Sequence, residues 1–316
     1  MIISVIIVSW NAKLYLLDCL HSLSGNAASQ HSMEIIVVDY ASSDGSPEAV
    51  CQQFPDVRLI RNNDNFGFAK ANNIGIGISH GEYICLINSD VVVKEGCFDN
   101  MIAYMDDHPE IGILGPRILD KHGNIQRSCM GFPTVWNTLS RALALDTLFP
   151  GSRLFGGQLM TFWAHDSIMP VDVINGCFWM VRRSALAQVG LLDERFFIYA
   201  EDVDWCKRFN ETGWQVVFFP DSQAVHFGGA SSANSPVRFI LERYKADLQY
   251  WRKHHSLPAR IAFFLSLWIH NMVRMAGEAV KYIVKPSHRK QAASNFERSL
   301  ACLKWLARHG LSGWST

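Results

Sequence analysis

Three acidic stretches and one histidine carry the residue types that could do chemistry in this chain. Asp39 ends the apolar run EIIVVDY, and Asn88, Ser89 and Asp90 sit inside YICLINSDVVV. A carboxylate delivered by an apolar strand can hold a hard divalent cation, which takes oxygen ligands and leaves its other positions to water or substrate phosphates. It can also accept an N–H from a base or grip a ribose hydroxyl. An Asx-turn is the plainer reading of both positions. Glu201, Asp202 and Asp204 fall in the first turn of a predicted helix, where the macrodipole alone favours acids. Phe196, Phe197, Ile198 and Tyr199 precede them. A carboxylate walled by aromatics suits a positioned general base. His226 closes AVHFGG, between an apolar strand and a Gly-Gly turn. It is as much a candidate ligand as a structural imidazole.

These side chains must be positioned by regular elements, and the first third of the chain alternates. IISVIIVSW, EIIVVDY, VRLIRN and EYICLIN read as strands, and the β-branched runs among them suit strands covered on both faces. Between them, residues 11–23 and GFAKANNIGIGIS read as helices, and a further helix follows SSDGS with Ser46 as N-cap and Pro47 first inside. Such alternation implies βαβ units and a mostly parallel sheet, with ligands at the carboxyl ends of the strands. Trp10, Asn11, Asp39, Arg61 to Asn65 and Asn88 to Asp90 all fall there. GIGISHG is not a dinucleotide loop, because it follows a helix and precedes a strand. Its glycines read as close helix–sheet packing and a helix stop. Further on, a hairpin turns at His122-Gly123-Asn124, and residues 130–170 form a long loop with a short helix near 134–146. VDVINGCFWMVRR and WQVVFFP return to strand, SALAQV is a helix ended by Gly190, and the helix from Glu201 stops at Gly213.

Composition removes several classes. The chain has 316 residues, 49% hydrophobic and 18% charged, with zero formal net charge, so no global charge favours nucleic acid. The eight cysteines form no CxxC pair, which excludes zinc ribbons and thioredoxin-like motifs. Their places in strands and helices predict buried, reduced thiols and a cytosolic compartment. The N-terminus, MIISVIIVSWNAK, reads as a strand and lacks the pattern of a signal peptide. No window reaches the roughly 18 apolar residues of a spanning helix. From residue 236 on, Arg and Lys alternate with Phe, Trp, Leu and Ile in helical sequence. That mixture suits helices lying on a membrane surface, or packed on the rest of the chain or on a second copy in a homodimer.

Taken in order, VSWNA, VVDYASSDGS, NNDNFGFAKANNIGI, INSDVVV, GCFWMVRRSALAQVGLLDERFFIYAEDVDWCKRF and AVHFGGAS resemble glycosyltransferase family 2. The resemblance covers roughly residues 2 to 230 and is nearest to the bacterial rhamnosyltransferase-like branch. It implies the GT-A fold, an α/β nucleotide-diphospho-sugar transferase fold with a mostly parallel central sheet. A catalytic domain would span 1–235, with a nucleotide-binding half to 115 and an acceptor-binding half from 116, followed by a helical region over 236–316.

The resemblance also implies roles. Ser9, Trp10, Asn11, Asp39, Asn65, Gly67, Lys70, Asn72 and Asn88 would meet the donor nucleotide. Asp90 and His226 would hold Mg2+ or Mn2+. Asp202 would be the catalytic base with Glu201 beside it, and Gly176, Cys177, Phe178 and Tyr199 would face the acceptor. Tyr40 stands where the family has asparagine, Asn88 stands for the first Asp of Asp-x-Asp, and Ser89 replaces the proline usual between them. The implied reaction is metal-dependent, inverting transfer of a sugar, foremost L-rhamnose from dTDP-rhamnose, to a glycan or polyprenyl-diphosphate-linked acceptor. The setting would be cell-surface polysaccharide synthesis at the inner face of the cytoplasmic membrane. The alternatives are a UDP- or GDP-sugar donor, or a nucleotide-sugar-binding protein without catalysis. A nicotinamide dehydrogenase is disfavoured, because SWNAK stands where its glycine loop would follow the first strand.

Overall fold

Aliphatic runs covered on both faces become the inner strands, and the small-residue and amphipathic runs between them become the covering helices. The computed structural model describes residues 2–24, 31–228 and 236–309. The last residues of AVHFGGAS, from Gly229, lie outside the described residues. By internal contacts the chain divides into two units, Met1–Phe132 with Ala164–Ala233, and Pro133–Trp163 with Asn234–Thr316. Residues 133–163 therefore join the C-terminal helices and not the sequence around them.

In chain order, the first unit starts with β1 (Ile2–Ser9), α1 (Lys13–Ser24), β2 (Ser32–Tyr40), α2 (Ser46–Gln53), β3 (Arg58–Asn62), α3 (Phe68–Ile78), β4 (Tyr83–Asn88) and β5 (Val91–Val93). It continues with α4 (Cys97–Asp107), β6 (Ile111–Leu119), β7 (Ile125–Gln126) and β8 (Cys129–Met130). The second unit contributes α5 (Val135–Ala142) and α6 (Leu145–Leu148). The first unit resumes with β9 (Met169–Pro170), β10 (Val173–Ile174), β11 (Phe178–Arg182), α7 (Arg183–Val189), α8 (Glu201–Glu211) and β12 (Gln215–His226). The remaining helices are α9 (Pro236–His254), α10 (Leu257–Val284) and α11 (Arg289–His309).

The main sheet runs β3-β2-β1-β4-β11-β6-β12-β5, with β7 on β6 and β9 on β12. From β3 to β4 it is parallel throughout. β11 then runs against both β4 and β6, and β12 is parallel to β6. Register levels the strand ends. Ser9 lies opposite Asp39, Asp39 opposite Arg61, and Val8 opposite Asn88. Tyr83, Ile84, Cys85 and Leu86 of β4 are fully buried, so the chain emerges at Asn88 from a strand held on both faces.

Local chemistry explains most element ends. The hairpin forms around Asp120, whose carboxylate accepts from the His122 and Asn124 N–H groups at 2.8 and 2.9 Å. Gly190 caps α7 at a φ of 83°. At α2 the expected N-cap is corrected. Gly45, in the left-handed conformation, is the cap residue, and Ser46 is already helical. Asp44 Oδ1 accepts from the Ser46 N–H at 3.0 Å and so does the work assigned to the serine hydroxyl.

Two of the three glycines of GIGISHG, Gly75 and Gly81, pack closely, whereas Gly77 faces open space. A Cβ on Gly75 would stand 2.4 Å from Ile6 Cγ2, and one on Gly81 2.5 Å from the Ser4 backbone nitrogen. No side chain larger than hydrogen fits at either place without a shift of the sheet. Seven of the eight cysteines are buried and all are free thiols.

The helical unit has its own core. The Trp251 and Phe263 rings stack at 4.6 Å, and Arg260 closes the carbonyl end of α9 by donating to the His255 and Arg252 carbonyls at 2.7 and 2.6 Å. Buried Asn271 donates to the Tyr244 hydroxyl at 2.9 Å and to the Leu267 carbonyl at 2.7 Å. Among the described residues, no helix is long and apolar enough to cross a membrane.

Gly75→Ala should cost about 1–3 kcal/mol by overpacking, despite the better helix propensity of alanine. Urea unfolding of Gly75→Ala, Ile6→Ala and the pair checks this. The pair should lose less than the sum of the two, because truncating Ile6 removes the atom that a new Cβ would strike.

Candidate active site

The level strand ends bring Ser9, Asp39 and Asn88 to one edge of the sheet. Asp39 is 2% exposed and Ser9 1%. Asp39 Oδ2 accepts from the Ser42 N–H at 3.0 Å, and its backbone carbonyl accepts from Asn62 Nδ2 at 3.0 Å. Asp39 Oδ1 and Ser9 Oγ are buried without a hydrogen-bond partner among the described residues. Buried polar atoms left unsatisfied cost about 1–3 kcal/mol each, so two side by side point to an outside partner. An acceptor-only oxygen beside a hydroxyl suits the N–H and O–H donors of a base and its ribose. Asn11, at a φ of 49°, closes the rim by accepting from the Ser43 N–H at 2.8 Å, while its own N–H donates to Ser42 Oγ at 2.9 Å. Trp10 stands half-buried beside it.

The loop after β3 is fastened within the protein, partly by residues assigned above to the donor. The Tyr40 hydroxyl donates to the Gly67 carbonyl at 2.5 Å. Burial holds that hydroxyl well above its ordinary pKa, with the charge of Glu201 adding to the effect. The unusual tyrosine after Asp39 is thus a strut for this loop. Asn65 Oδ1 accepts from the Gly67 N–H at 3.0 Å. Gly67 has a φ of 90°, and a Cβ there would lie 2.3 Å from the Phe197 carbonyl oxygen. That carbonyl accepts from the Phe68 N–H at 2.7 Å, which joins the loop to the aromatic stretch before α8. Lys70 Nζ stands 4.5 Å over the Phe66 ring. Asn72 is buried and donates to the Phe68 carbonyl at 2.9 Å, so its amide serves α3 itself. Neighbouring Asn73 donates to the Leu192 carbonyl at 2.9 Å and to Glu194 at 3.1 Å, pinning the 192–194 loop.

Asp90 and His226 meet because β12 runs antiparallel to β5, with His226 opposite Val91. His226 Nε2 lies 3.3 Å from Asp90 Oδ1. On the other side of the ring, Nδ1 is 2.8 Å from Gln126 Oε1, and Gln126 Nε2 donates to the His226 carbonyl at 3.3 Å. The second contact orients the glutamine amide so that its oxygen faces Nδ1, which favours the tautomer carrying the ring proton there. Nε2 then turns a lone pair toward a carboxylate oxygen. Only a proton or a cation shared between them makes that contact favourable. Two such donors at this spacing fit adjacent positions on a small divalent ion, with an amide behind the ring of the kind that orients ligating histidines. No third His, Cys, Asp or Glu joins them among the described residues, which leaves the other positions to ligands from outside the chain.

The acids of α8 divide. Asp204 is fully buried and paired with Arg208 Nε at 3.0 Å, which makes it structural. Glu201 is buried and Asp202 half-buried. They follow Tyr199 and Ala200, both left-handed with φ of 72° and 62°. Two successive non-glycine residues in that region store about 1–3 kcal/mol each and occur where surrounding packing insists on a chain direction. Cys177, just before β11, is buried. Burial first, then the charge of Asp90 and more weakly that of Asp202, pushes its thiol up to about 12. Its carbonyl accepts from the Asn88 N–H at 3.0 Å. Gly176 precedes it, and a Cβ there would lie 3.2 Å from the Trp179 ring. Phe178, expected on the acceptor side, is corrected. It is fully buried opposite Ile87, with its ring 5.8 Å from Phe98, and belongs to the core.

Sequence reasoning missed Gln126 and Asn73, and it noted Tyr40 only as a departure from the family pattern, without its role. The hairpin carrying Gln126 was readable, but its partner His226 comes 100 residues later.

Comparison with known proteins agrees with this architecture. Residues 4–190, more than half the chain, match the family described as Glycosyl transferase family 2. The chain belongs to that family. It is 28% identical over 304 residues to an N-acetylglucosaminyl-diphospho-decaprenol L-rhamnosyltransferase of Mycobacterium tuberculosis, covering 86% of this chain and 93% of that one. It is 25% identical over 266 residues to the rhamnosyltransferase WbbL of Escherichia coli K12, covering 81% and 95%. Among solved structures, a mannosyltransferase of Pyrobaculum calidifontis with GDP-Man and Mn2+ superposes with a TM-score of 0.59 at 17% identity, covering 95% of this chain and 85% of that one. Staphylococcus aureus TarS 1-349 superposes at 0.51 with 14% identity, covering 98% and 92%. This glycosyltransferase therefore has the fold of the GT-A enzymes.

In nitrogen-15 NMR, His226 should show a protonated Nδ1 and an unprotonated Nε2 in the neutral ring. Gln126→Leu should abolish that preference; an unchanged tautomer would contradict the glutamine's role.

Proposed function

We propose that this glycosyltransferase moves L-rhamnose from dTDP-rhamnose to a glycan or polyprenyl-diphosphate-linked sugar in cell-surface polysaccharide synthesis, with inversion at the anomeric carbon. The observation that carries the mechanism is the pairing of Asp90 Oδ1 with His226 Nε2 at 3.3 Å, with Gln126 behind the imidazole. Asp90, seated against His226, and Asp202, at the start of α8, both act on the Cys177 thiol. One acid can serve the leaving group and the other the incoming hydroxyl. The donor and acceptor classes are supported by the relatives, whose names specify rhamnosyl transfer and, in M. tuberculosis, L-rhamnosyl transfer to N-acetylglucosaminyl-diphospho-decaprenol.

Asp39 Oδ1 accepts from the base or ribose, and Ser9 Oγ completes that contact. Asp90 and His226 hold the divalent cation, Mg2+ or Mn2+, with Gln126 fixing the imidazole. When bound, that ion neutralises the departing diphosphate as a Lewis acid. Manganese in the solved mannosyltransferase supports the same class of ion here. Asp202 takes the proton from the acceptor hydroxyl as its oxygen attacks the anomeric carbon. The bond from that carbon to the diphosphate oxygen breaks on the opposite face, and the diphosphate leaves with the electron pair. Glu201 is buried beside Asp202 at the start of the same helix.

The reading places the enzyme at the inner face of the cytoplasmic membrane, where a lipid-linked acceptor is met. Exposed Val280, Ile283 and Val284 on α10 supply apolar surface for peripheral contact.

General-base assistance is typically worth about 10²–10⁴-fold. Asp202→Asn should lose turnover by that order in a radiolabelled rhamnosyl-transfer assay while donor affinity, measured by calorimetry with Mn2+, stays within about twofold. Wild-type turnover in the variant would remove Asp202 from the mechanism.

A further inference from the structure

The helical unit contains a basic cleft that the catalytic reading leaves unused. It has a volume of about 490 Å³ and is lined by residues of α5, α9, α10 and α11, among them Arg141, Arg243, Arg274 and Arg298. Its volume is that of an ordinary small-molecule site. The acids on its wall are Asp247 and Glu278, and the Glu278 carboxylate lies 2.8 Å from Lys281 Nζ. Four guanidinium groups thus line the cleft with two carboxylates.

The arrangement is unfavourable by itself. Arg141 is half-buried, and burial followed by the like charge of Arg243 lowers its pKa, an effect that Asp247 and Asp146 only partly offset. Burial first, then the charges of Arg274 and Arg141, push His270 in the same cleft down to about 4, so its ring is neutral at physiological pH. No hydrogen bond or ion pair holds the guanidinium of Arg141, Arg274 or Arg298 among the described residues. Gln158 Oε1, also on the wall, is buried without a partner there. Its amide can turn to offer N–H donors instead. The hydrogen bonds of Asn271 to Tyr244 and Leu267 brace the wall that carries these groups.

The guanidinium groups of Arg141, Arg274 and Arg298, converging on one cleft with no carboxylate in their forks among the described residues, match one ligand chemistry. Phosphoryl oxygens accept bidentate guanidinium bonds, and one such anion relieves the mutual repulsion of several arginines. We propose that this cleft binds a phosphate or diphosphate group, held by Arg141, Arg274 and Arg298 with Gln158 at its floor. The phosphoryl group can come free in solution or as the head of a lipid. An apolar recess of about 410 Å³, lined by Tyr282, Ile283 and Phe296, adjoins the cleft at Glu278, which borders both. A hydrocarbon chain attached to the anion has that surface to lie on.

The test uses the full chain in EDTA, so that pyrophosphate cannot bind through a metal at the catalytic acids. Calorimetry at constant ionic strength should show saturable binding of one pyrophosphate per chain. Arg141→Gln and Arg274→Gln should each weaken it at least tenfold, while Lys207→Gln, in the other unit, should not. Arg274 is exposed, so its substitution keeps the test decisive if Arg141→Gln fails to fold. A second arm asks the source. Flotation with vesicles carrying phosphatidic acid, but not with phosphatidylglycerol vesicles, and its loss in Arg274→Gln, would assign the head group of a lipid. Pyrophosphate binding without such flotation would assign a soluble anion. Absence of saturable pyrophosphate binding, or equal affinity in wild type and both arginine variants, would overturn the proposal.

Discussion

A carboxylate at the end of a strand buried on both faces cannot move unless the sheet moves. β4 is such a strand, and the geometry of the catalytic edge depends on it. β1 lies on one side of it in parallel register and β11 on the other in antiparallel register. That pairing sets Ser9 and Asp39 level with Asn88 and brings the Cys177 carbonyl to the Asn88 N–H. Two residues later the chain reaches Asp90, where β12 delivers His226. The apolar character of YICLIN is therefore the physical condition for a rigid acidic site, since it leaves the strand no exposed face on which to slip.

Much of this half was legible in the sequence because its determinants are local. Alternating apolar runs mark strands and helices, and the Asp120 hairpin and the Gly190 stop rest on residues within a few positions of the turn they make. The strand ends follow from parallel βαβ winding, so Asp39 and Asp90 were readable as crevice residues before any coordinates. What was not legible depends on distant partners. Gln126 acquires meaning only when β12 returns beside the hairpin. Phe178 looks like any residue after a Gly-Cys pair until β4 and α4 cover it. Ser46 has cap chemistry, yet the left-handed Gly45 and the Asp44 side chain take that position from it.

The helical unit shows the same limit differently. Mixed basic and apolar composition from residue 236 suits a membrane-facing amphipathic helix, and nothing local distinguishes an arginine facing lipid from one facing a cleft. Residues 133–163, read as a loop of the catalytic region, bring Arg141 into that unit. Only this long-range association gathers Arg141 with Arg274 and Arg298. The basic residues thus form one directed charge cluster in place of a diffuse stripe, and the apolar side chains of α10 are left to a separate surface.

Asp90 and His226, oriented by Gln126, would form a two-point seat for a divalent ion, with the donor diphosphate supplying further oxygen ligands. Crystals grown with Mn2+ and a nucleoside diphosphate test it directly through anomalous scattering at the manganese edge. A peak at bonding distance from both Asp90 Oδ1 and His226 Nε2, with diphosphate oxygens as further ligands, is the expected result. Bound nucleotide with the manganese ligated by other side chains, or with none at this seat, would contradict it.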